Sequence, residues 1–125
     1  MSNNIDVSSL GKTWIFDIDG TICKHNGYKI DGRDTLLAGA YEFFRGISEN
    51  DMVILITSRT EEYKDMTENF LKENKIPFDK VIYNAPFGER ILINDKKPSG
   101  LGTAIAINTE RDKFMKNKFV IDDTL

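Results

Sequence analysis

Asp17 and Asp19 stand two residues apart in Asp17-Ile18-Asp19-Gly20-Thr21, directly behind the apolar run Trp14-Ile15-Phe16. Two carboxylates at the end of a buried strand, followed by a glycine that permits a sharp turn, form a site for a divalent cation and a phosphate. The same residues match the middle of an EF-hand calcium loop. That alignment puts Ile15 and Asn26 at the first and last ligand positions, behind a strand instead of a helix, so the flanks argue against it. An ordinary Asx turn at a strand end is the plainer alternative.

Other polar clusters also follow apolar runs. Met52-Val53-Ile54-Leu55-Ile56 is broken off by Thr57-Ser58-Arg59, and Arg90-Ile91-Leu92-Ile93 ends at Asn94-Asp95. Thr57 and Ser58 read as a helix N-cap, a position equally suited to holding an anion. Asn94 and Asp95 read either as a turn or as further hard oxygen ligands. Val120-Ile121-Asp122-Asp123 repeats the strand-plus-acid pattern at the end of the chain, where termini are often loose; Asn94-Asp95 is preferred to it.

The elements that must position these groups alternate. Trp14 to Asp17 reads as a buried strand. Thr35 to Asn50 reads as a helix with Leu36, Ala40, Phe43 and Ile47 on one face and Asp34 as its N-cap. Met52 to Ile56 has the continuous apolar, β-branched character of a central parallel strand. Ser58 and Glu61 have capping-box spacing before a helix carrying Tyr63, Met66, Phe70 and Leu71, which Asn74 and Pro77 end. Val81 to Tyr83, Arg90 to Ile93 and Thr103 to Ile107 are the remaining expected strands, with a weak helix from about Thr109. This order predicts an α/β fold with a mainly parallel sheet and right-handed crossovers. Ligands of such sheets sit beyond the carboxyl ends of the strands, so Asp17, Asp19, Thr57, Ser58, Asn84, Asn94 and Asp95 share one expected address.

Composition sets the outer bounds. A chain of 125 residues with 40% hydrophobic residues can bury one ordinary core, so a single domain over 1–125 is expected. The formal charge of −3 and the lack of a Lys/Arg block disfavour a bulk nucleic-acid surface. The single Cys23 permits no internal disulfide, the polar start is unlike a signal peptide, and no apolar run reaches membrane-spanning length. A cytoplasmic protein with no membrane partner is the expectation.

The pentapeptide around Asp17, the strand ending in Thr57 and the strand ending in Asn94-Asp95 resemble the first, second and fourth motifs of the haloacid dehalogenase (HAD) superfamily of phosphatases and phosphotransferases. The resemblance covers about residues 14–97. It implies a Rossmann-like three-layer sandwich, Mg²⁺, and phosphomonoester hydrolysis through an aspartyl-phosphate. A carboxylate that attacks a phosphate monoester meets like-charge repulsion, so a cation must neutralise both partners and a second acid must protonate the leaving oxygen. Asp17 is then the nucleophile and a metal ligand, and Asp19 the general acid and later base. The resemblance also puts the Asp19 main-chain carbonyl on the metal. Thr57 and Ser58 would hold phosphoryl oxygens, and Asn94 and Asp95 would complete the metal shell. Asn94 departs from the acidic residue usual there and removes one negative charge. The lysine that relatives carry before the fourth motif is absent from Asn84-Ala85-Pro86; Lys97 is the candidate substitute.

Neither slot in which larger relatives insert a cap has room here. Residues 22–32 suffice for a short flap, with Cys23, His25 and Tyr28 at its mouth, and residues 119–125 for a C-terminal tail. Capless relatives act on bulky phosphorylated groups or close their sites with a neighbouring subunit, so a homo-oligomer is a possible partner arrangement. The resemblance points first to a sugar phosphate of bacterial surface-polysaccharide metabolism. The alternatives are an inactive phosphate- or metal-binding module and a nucleic-acid end-processing phosphatase or phosphotransferase.

Overall fold

In the computed structural model, which describes residues 3–125, the chain runs β1 (Asn4–Val7), β2 (Thr13–Asp17), α1 (Gly27–Ile30), α2 (Ala40–Arg45), β3 (Met52–Ile56), α3 (Lys64–Glu73), β4 (Lys80–Ile82) and β5 (Lys118–Ile121). A 3-10 turn at Glu61–Tyr63 leads into α3. Two compact units result. The larger holds Gly11–Pro86 and Thr109–Met115; the smaller holds the chain up to Leu10, Phe87–Asn108 and Lys116–Leu125.

The most apolar strand takes the middle of the sheet in the larger unit, as expected of a segment with no polar face. The order is β2-β3-β4, and both pairings are parallel. Side-chain carboxylates fix the entry to these strands. Asp51 accepts from the Lys12 N–H and from Trp14 Nε1, both at 2.9 Å, and Asp79 Oδ2 accepts from the Val53 N–H at 2.7 Å. Val53 and Leu55 point into a core with Phe16, Ile18, Ile22, Ala40, Phe44, Leu71, Ile76 and Phe114. Leu55 and Leu71 are fully buried, each worth about 1.5–3 kcal/mol of transfer free energy. The aromatic part of the core is tight: Phe16 lies 4.9 Å from Phe44 and stacks on Phe114 at 6.2 Å. α3 contributes Thr67 and Leu71, one helical turn apart.

In the smaller unit β1 and β5 pair in parallel, from Asn4 with Lys118 to Val7 with Ile121. The fold is therefore α/β with open parallel sheets, consistent with a Rossmann-like organisation without a cap.

Several element expectations are corrected. The helix expected over 35–50 is confined to Ala40–Arg45, because Gly39 takes φ +96°, outside the right-handed helix, and Leu36 and Leu37 bond instead to the segment after Asp19. Asp34 caps no helix. Thr60, not Ser58, precedes the 3-10 turn, so the Ser58–Glu61 capping box does not form. The third strand starts at Lys80, one residue early. Arg90 to Ile93 and Thr103 to Ile107 form no strands: among the described residues no ladder lies along them, and Ile91 and Ile93 stay 83% and 90% exposed. The stretch from Thr109 is a turn, with Asp112 at φ +65°, and not a helix. Part of the expected C-terminal tail is β5.

Candidate functional site

Parallel pairing places the motif residues. Asp17 ends β2 in register with Ile56, the last residue of β3, so Thr57 follows at the same sheet edge. The next strand holds Thr57 there: its N–H donates to the Ile82 carbonyl at 2.9 Å, and its own carbonyl accepts from the Ala85 N–H at 3.0 Å. Behind Asp17 the chain reverses tightly. The Ile18 carbonyl accepts from the N–H groups of Thr21, Ile22 and Cys23, and Gly20 takes φ +80°. This turn is why a glycine follows the second carboxylate. It returns the Thr21 hydroxyl to Asp17, where it donates to Oδ2 at 3.0 Å.

The dominant electrostatic feature is Arg59, 3% exposed. Its Nε and Nη2 donate to Asp19 Oδ2 and Oδ1 at 3.0 and 2.9 Å, a bidentate fork. Nη1 and Nη2 form a second fork with Asp34, at 3.0 and 2.7 Å. Nη1 also donates to the Thr67 hydroxyl at 2.9 Å, and the guanidinium lies 3.9 Å over the Tyr28 ring. Tyr63 packs edge-on against Tyr28 at 4.9 Å. Burial alone would lower the Arg59 pKa, but its hydrogen bonds to Asp19 and Asp34 outweigh that and hold it above its ordinary value. The Thr57 hydroxyl accepts from the Arg59 N–H at 3.0 Å, so the loop after β3 is tied to its own arginine. Arg59 and Asp34 were not assigned a site role from sequence. The signal was present in Thr57-Ser58-Arg59: a cation directly behind a buried strand, which reaches the expected address only if the strand is parallel to β2.

Asp19, Cys23 and Asp34 bring one ligand atom each to within 4.8 Å of one another, a spacing that could hold a metal ion. The chemistry of the donors fits a magnesium ion poorly. Burial, then the nearby Asp34 and Asp19 carboxylates, push the Cys23 thiol well above its ordinary range, so it stays protonated, and sulfur is a poor ligand for a hard cation. Both carboxylates are already forked by Arg59.

The larger unit therefore brings together Asp17, Asp19, Thr57 and Ser58. Asn94, Asp95, Lys97 and Asp122 belong to the smaller unit. There the Thr103 hydroxyl accepts from Asn94 Nδ2 at 2.8 Å and donates to the Asp95 carbonyl at 2.5 Å. The Lys97 N–H donates to the Leu101 carbonyl at 2.9 Å. Asp122 Oδ1 accepts from the Thr124 N–H and hydroxyl, an Asx turn that lowers its pKa. Among the described residues, no helix is long and apolar enough to cross a membrane.

No protein-family model and no curated protein matches this chain. Solved structures do. A chain from the structure of the Pnkp1/Rnl/Hen1 RNA repair complex is 26% identical with a TM-score of 0.52, over 69% of this chain and 30% of that one. A chain from a second Pnkp1/Rnl/Hen1 complex matches with the same identity and TM-score, over 68% of this chain and 32% of its own length. This protein thus spans about a third of the chains that it matches.

Proposed function

We propose that the larger unit is a phosphoesterase that removes the terminal phosphate from a nucleic-acid end, with Asp17 as nucleophile. The observation that carries this reading is the pairing of β2 with β3, which sets Asp17 beside Thr57 at one sheet edge while Arg59 fixes Asp19 just beyond. The likeness to chains of an RNA repair complex supports nucleic acid over the sugar phosphate that the sequence favoured, for which neither the fold nor the comparisons offer support. That these neighbours are parts of a complex also fits a site completed by a partner.

Each residue has a defined task. An Asp17 oxygen attacks phosphorus, the bond from phosphorus to the leaving ribose oxygen breaks, and Asp19 delivers a proton to that oxygen. Water then cleaves the acyl phosphate, with Asp19 taking its proton. The Arg59 fork orients Asp19 without using up its oxygens, since each carboxylate oxygen has a second lone pair. The hydroxyls of Thr57 and Ser58 and the Ser58 N–H would bind the phosphoryl oxygens, the Thr57 N–H being spent on the Ile82 carbonyl. A bound Mg²⁺, which takes one or two carboxylates and keeps several waters, would be held by Asp17 and the Asp19 carbonyl and would supply charge neutralisation.

The test is release of inorganic phosphate from a 3′-phosphorylated oligoribonucleotide. Mg²⁺-dependent turnover, faster than with hexose phosphates and lost in Asp17→Asn, is expected. Faster turnover of hexose phosphates would restore the sugar-phosphate reading. Binding without turnover would favour an inactive module, the reading prompted by Asn94 and the missing lysine.

A further inference from the structure

A segment remote in sequence closes over the turn that carries the two carboxylates. The Asp112 N–H donates to the Gly20 carbonyl at 2.8 Å, and Asp112 Oδ1 accepts from the His25 N–H at 2.7 Å. Two residues on, Phe114 enters the core against Phe16, Phe43 and Phe44. Thr109–Met115 is thereby pinned at one end by hydrogen bonds and at the other by aromatic packing. Asp112 reaches both partners only by taking φ +65°, an uncommon conformation for a residue other than glycine.

Arg111 is the residue that this strap delivers. Its stem lies against Gly20, where a Cβ would meet Arg111 Cγ at 3.3 Å and the His25 Cβ at 3.6 Å. The contact with Arg111 is tight and that with His25 ordinary; it is the φ of +80° that calls for glycine at this turn. Arg111 is exposed, and among the described residues its guanidinium makes no hydrogen bond or ion pair. The nearby lysines in sequence are engaged by contrast: Lys24, four residues after Gly20, pairs with Asp31, and Lys113, two after Arg111, pairs with Glu110, each at 2.9 Å. An unspent guanidinium whose stem is held against the turn that follows Asp17, in a chain whose net charge is −3, is suited to an anion on the substrate.

We infer that Arg111 binds a backbone phosphodiester of the nucleic-acid strand whose terminal phosphate is presented to Asp17. This rests on the nucleic-acid reading above and deepens it: a hexose monophosphate has no second phosphate to offer, so Arg111 selects a strand over such a monomer. Gly20 lies three residues past Asp17 on the same turn, so a contact there is separate from the hydroxyls of Thr57 and Ser58 assigned to the terminal phosphate.

The salt dependence of binding tests this apart from catalysis. Fluorescence anisotropy with a fluorescein-labelled, 3′-phosphorylated single-stranded oligoribonucleotide, in an Asp17→Asn background, gives log Kd against log salt. Adding Arg111→Ala should weaken binding and reduce the slope by about 0.7, the value for one phosphate contact on a single strand. Arg111→Lys should keep the slope, and Lys113→Ala, whose ammonium is paired with Glu110, should leave both quantities unchanged. An unaltered slope in Arg111→Ala, or no binding by the parent, overturns the inference. If the slope falls while the native chain shows no phosphate release, the Arg111 assignment stands and the phosphatase reading falls.

Discussion

Arg59 connects more of the site than any carboxylate does. Asp34, whose side chain is 1% exposed, has that guanidinium as its counter-charge. Removing one partner of a buried pair costs about 3–5 kcal/mol, because the other is left charged and dry. Arg59→Met is therefore expected to lower the urea midpoint by a corresponding amount. Arg59→Lys should recover only part of the loss, since an ammonium cannot form two forks; full recovery would show that the forks do not matter. Cys23 makes a separate, pH-dependent prediction. Burial raises its folded pKa above the unfolded value, so the folded state holds its proton longer. That contribution is complete below about pH 8.5, the ordinary thiol value, and is lost as pH rises toward the folded pKa. Thermal melts should show stability falling above that pH, with a shallower fall in Cys23→Ala; identical alkaline slopes would refute the assignment. At this scale the sequence put Asp17, Asp19 and Thr57 at strand ends because each ends or follows an apolar run, and that is where β2 and β3 leave them. It concealed Arg59 and Asp34, whose meaning lies in a contact across 25 residues.

The elements show where one pattern admits two structures. Leu36, Ala40, Phe43 and Ile47 have helical spacing, yet only Ala40–Arg45 is helical. Leu36 pairs instead with Cys23, and the Leu37 N–H donates to the Ile22 carbonyl. Periodicity cannot register that competition, because an apolar residue is buried equally well by either route. α3 was easier to read: its apolar face is continuous, and Asn74 is its C-cap, as expected. Its Thr67 is nevertheless polar and fully buried, facing Arg59. Thr67→Val keeps the shape and removes the acceptor, so a loss of about 1–3 kcal/mol in chemical denaturation is expected. Leu71→Ala, one turn on, should cost about 2–5 kcal/mol through its cavity alone. In double-mutant cycles with Arg59→Met, coupling for Thr67 and none for Leu71 would separate the two causes.

At the scale of the whole chain, Phe87–Asn108 carries no helix or strand and leaves Phe87, Ile91 and Ile93 exposed. Exposed backbone outside regular structure is the preferred substrate of proteases. Limited trypsin digestion should cut after Arg90 or Lys96 before it cuts after Lys64 or Lys72 in α3, as read by intact-mass analysis. Early cleavage within α3 would contradict the fold. The apolar run Arg90 to Ile93 resembles a buried strand as closely as β3 does, but a run of that kind becomes a strand only where a neighbour completes its hydrogen-bond ladder. The reverse occurred at Lys118–Ile121, which read as part of a tail and is paired with β1. By itself the sequence determined the α/β class, the central place of β3 and the carboxylate turn at Asp17, because these follow from local hydrophobicity and from the need for glycine behind Asp19. Tertiary structure alone decided that Arg59 would be shared between Asp19 and Asp34, and that Arg111 would lie against Gly20. Contacts between distant segments depend on which strands pair and which cores close, and no spacing along the chain encodes that.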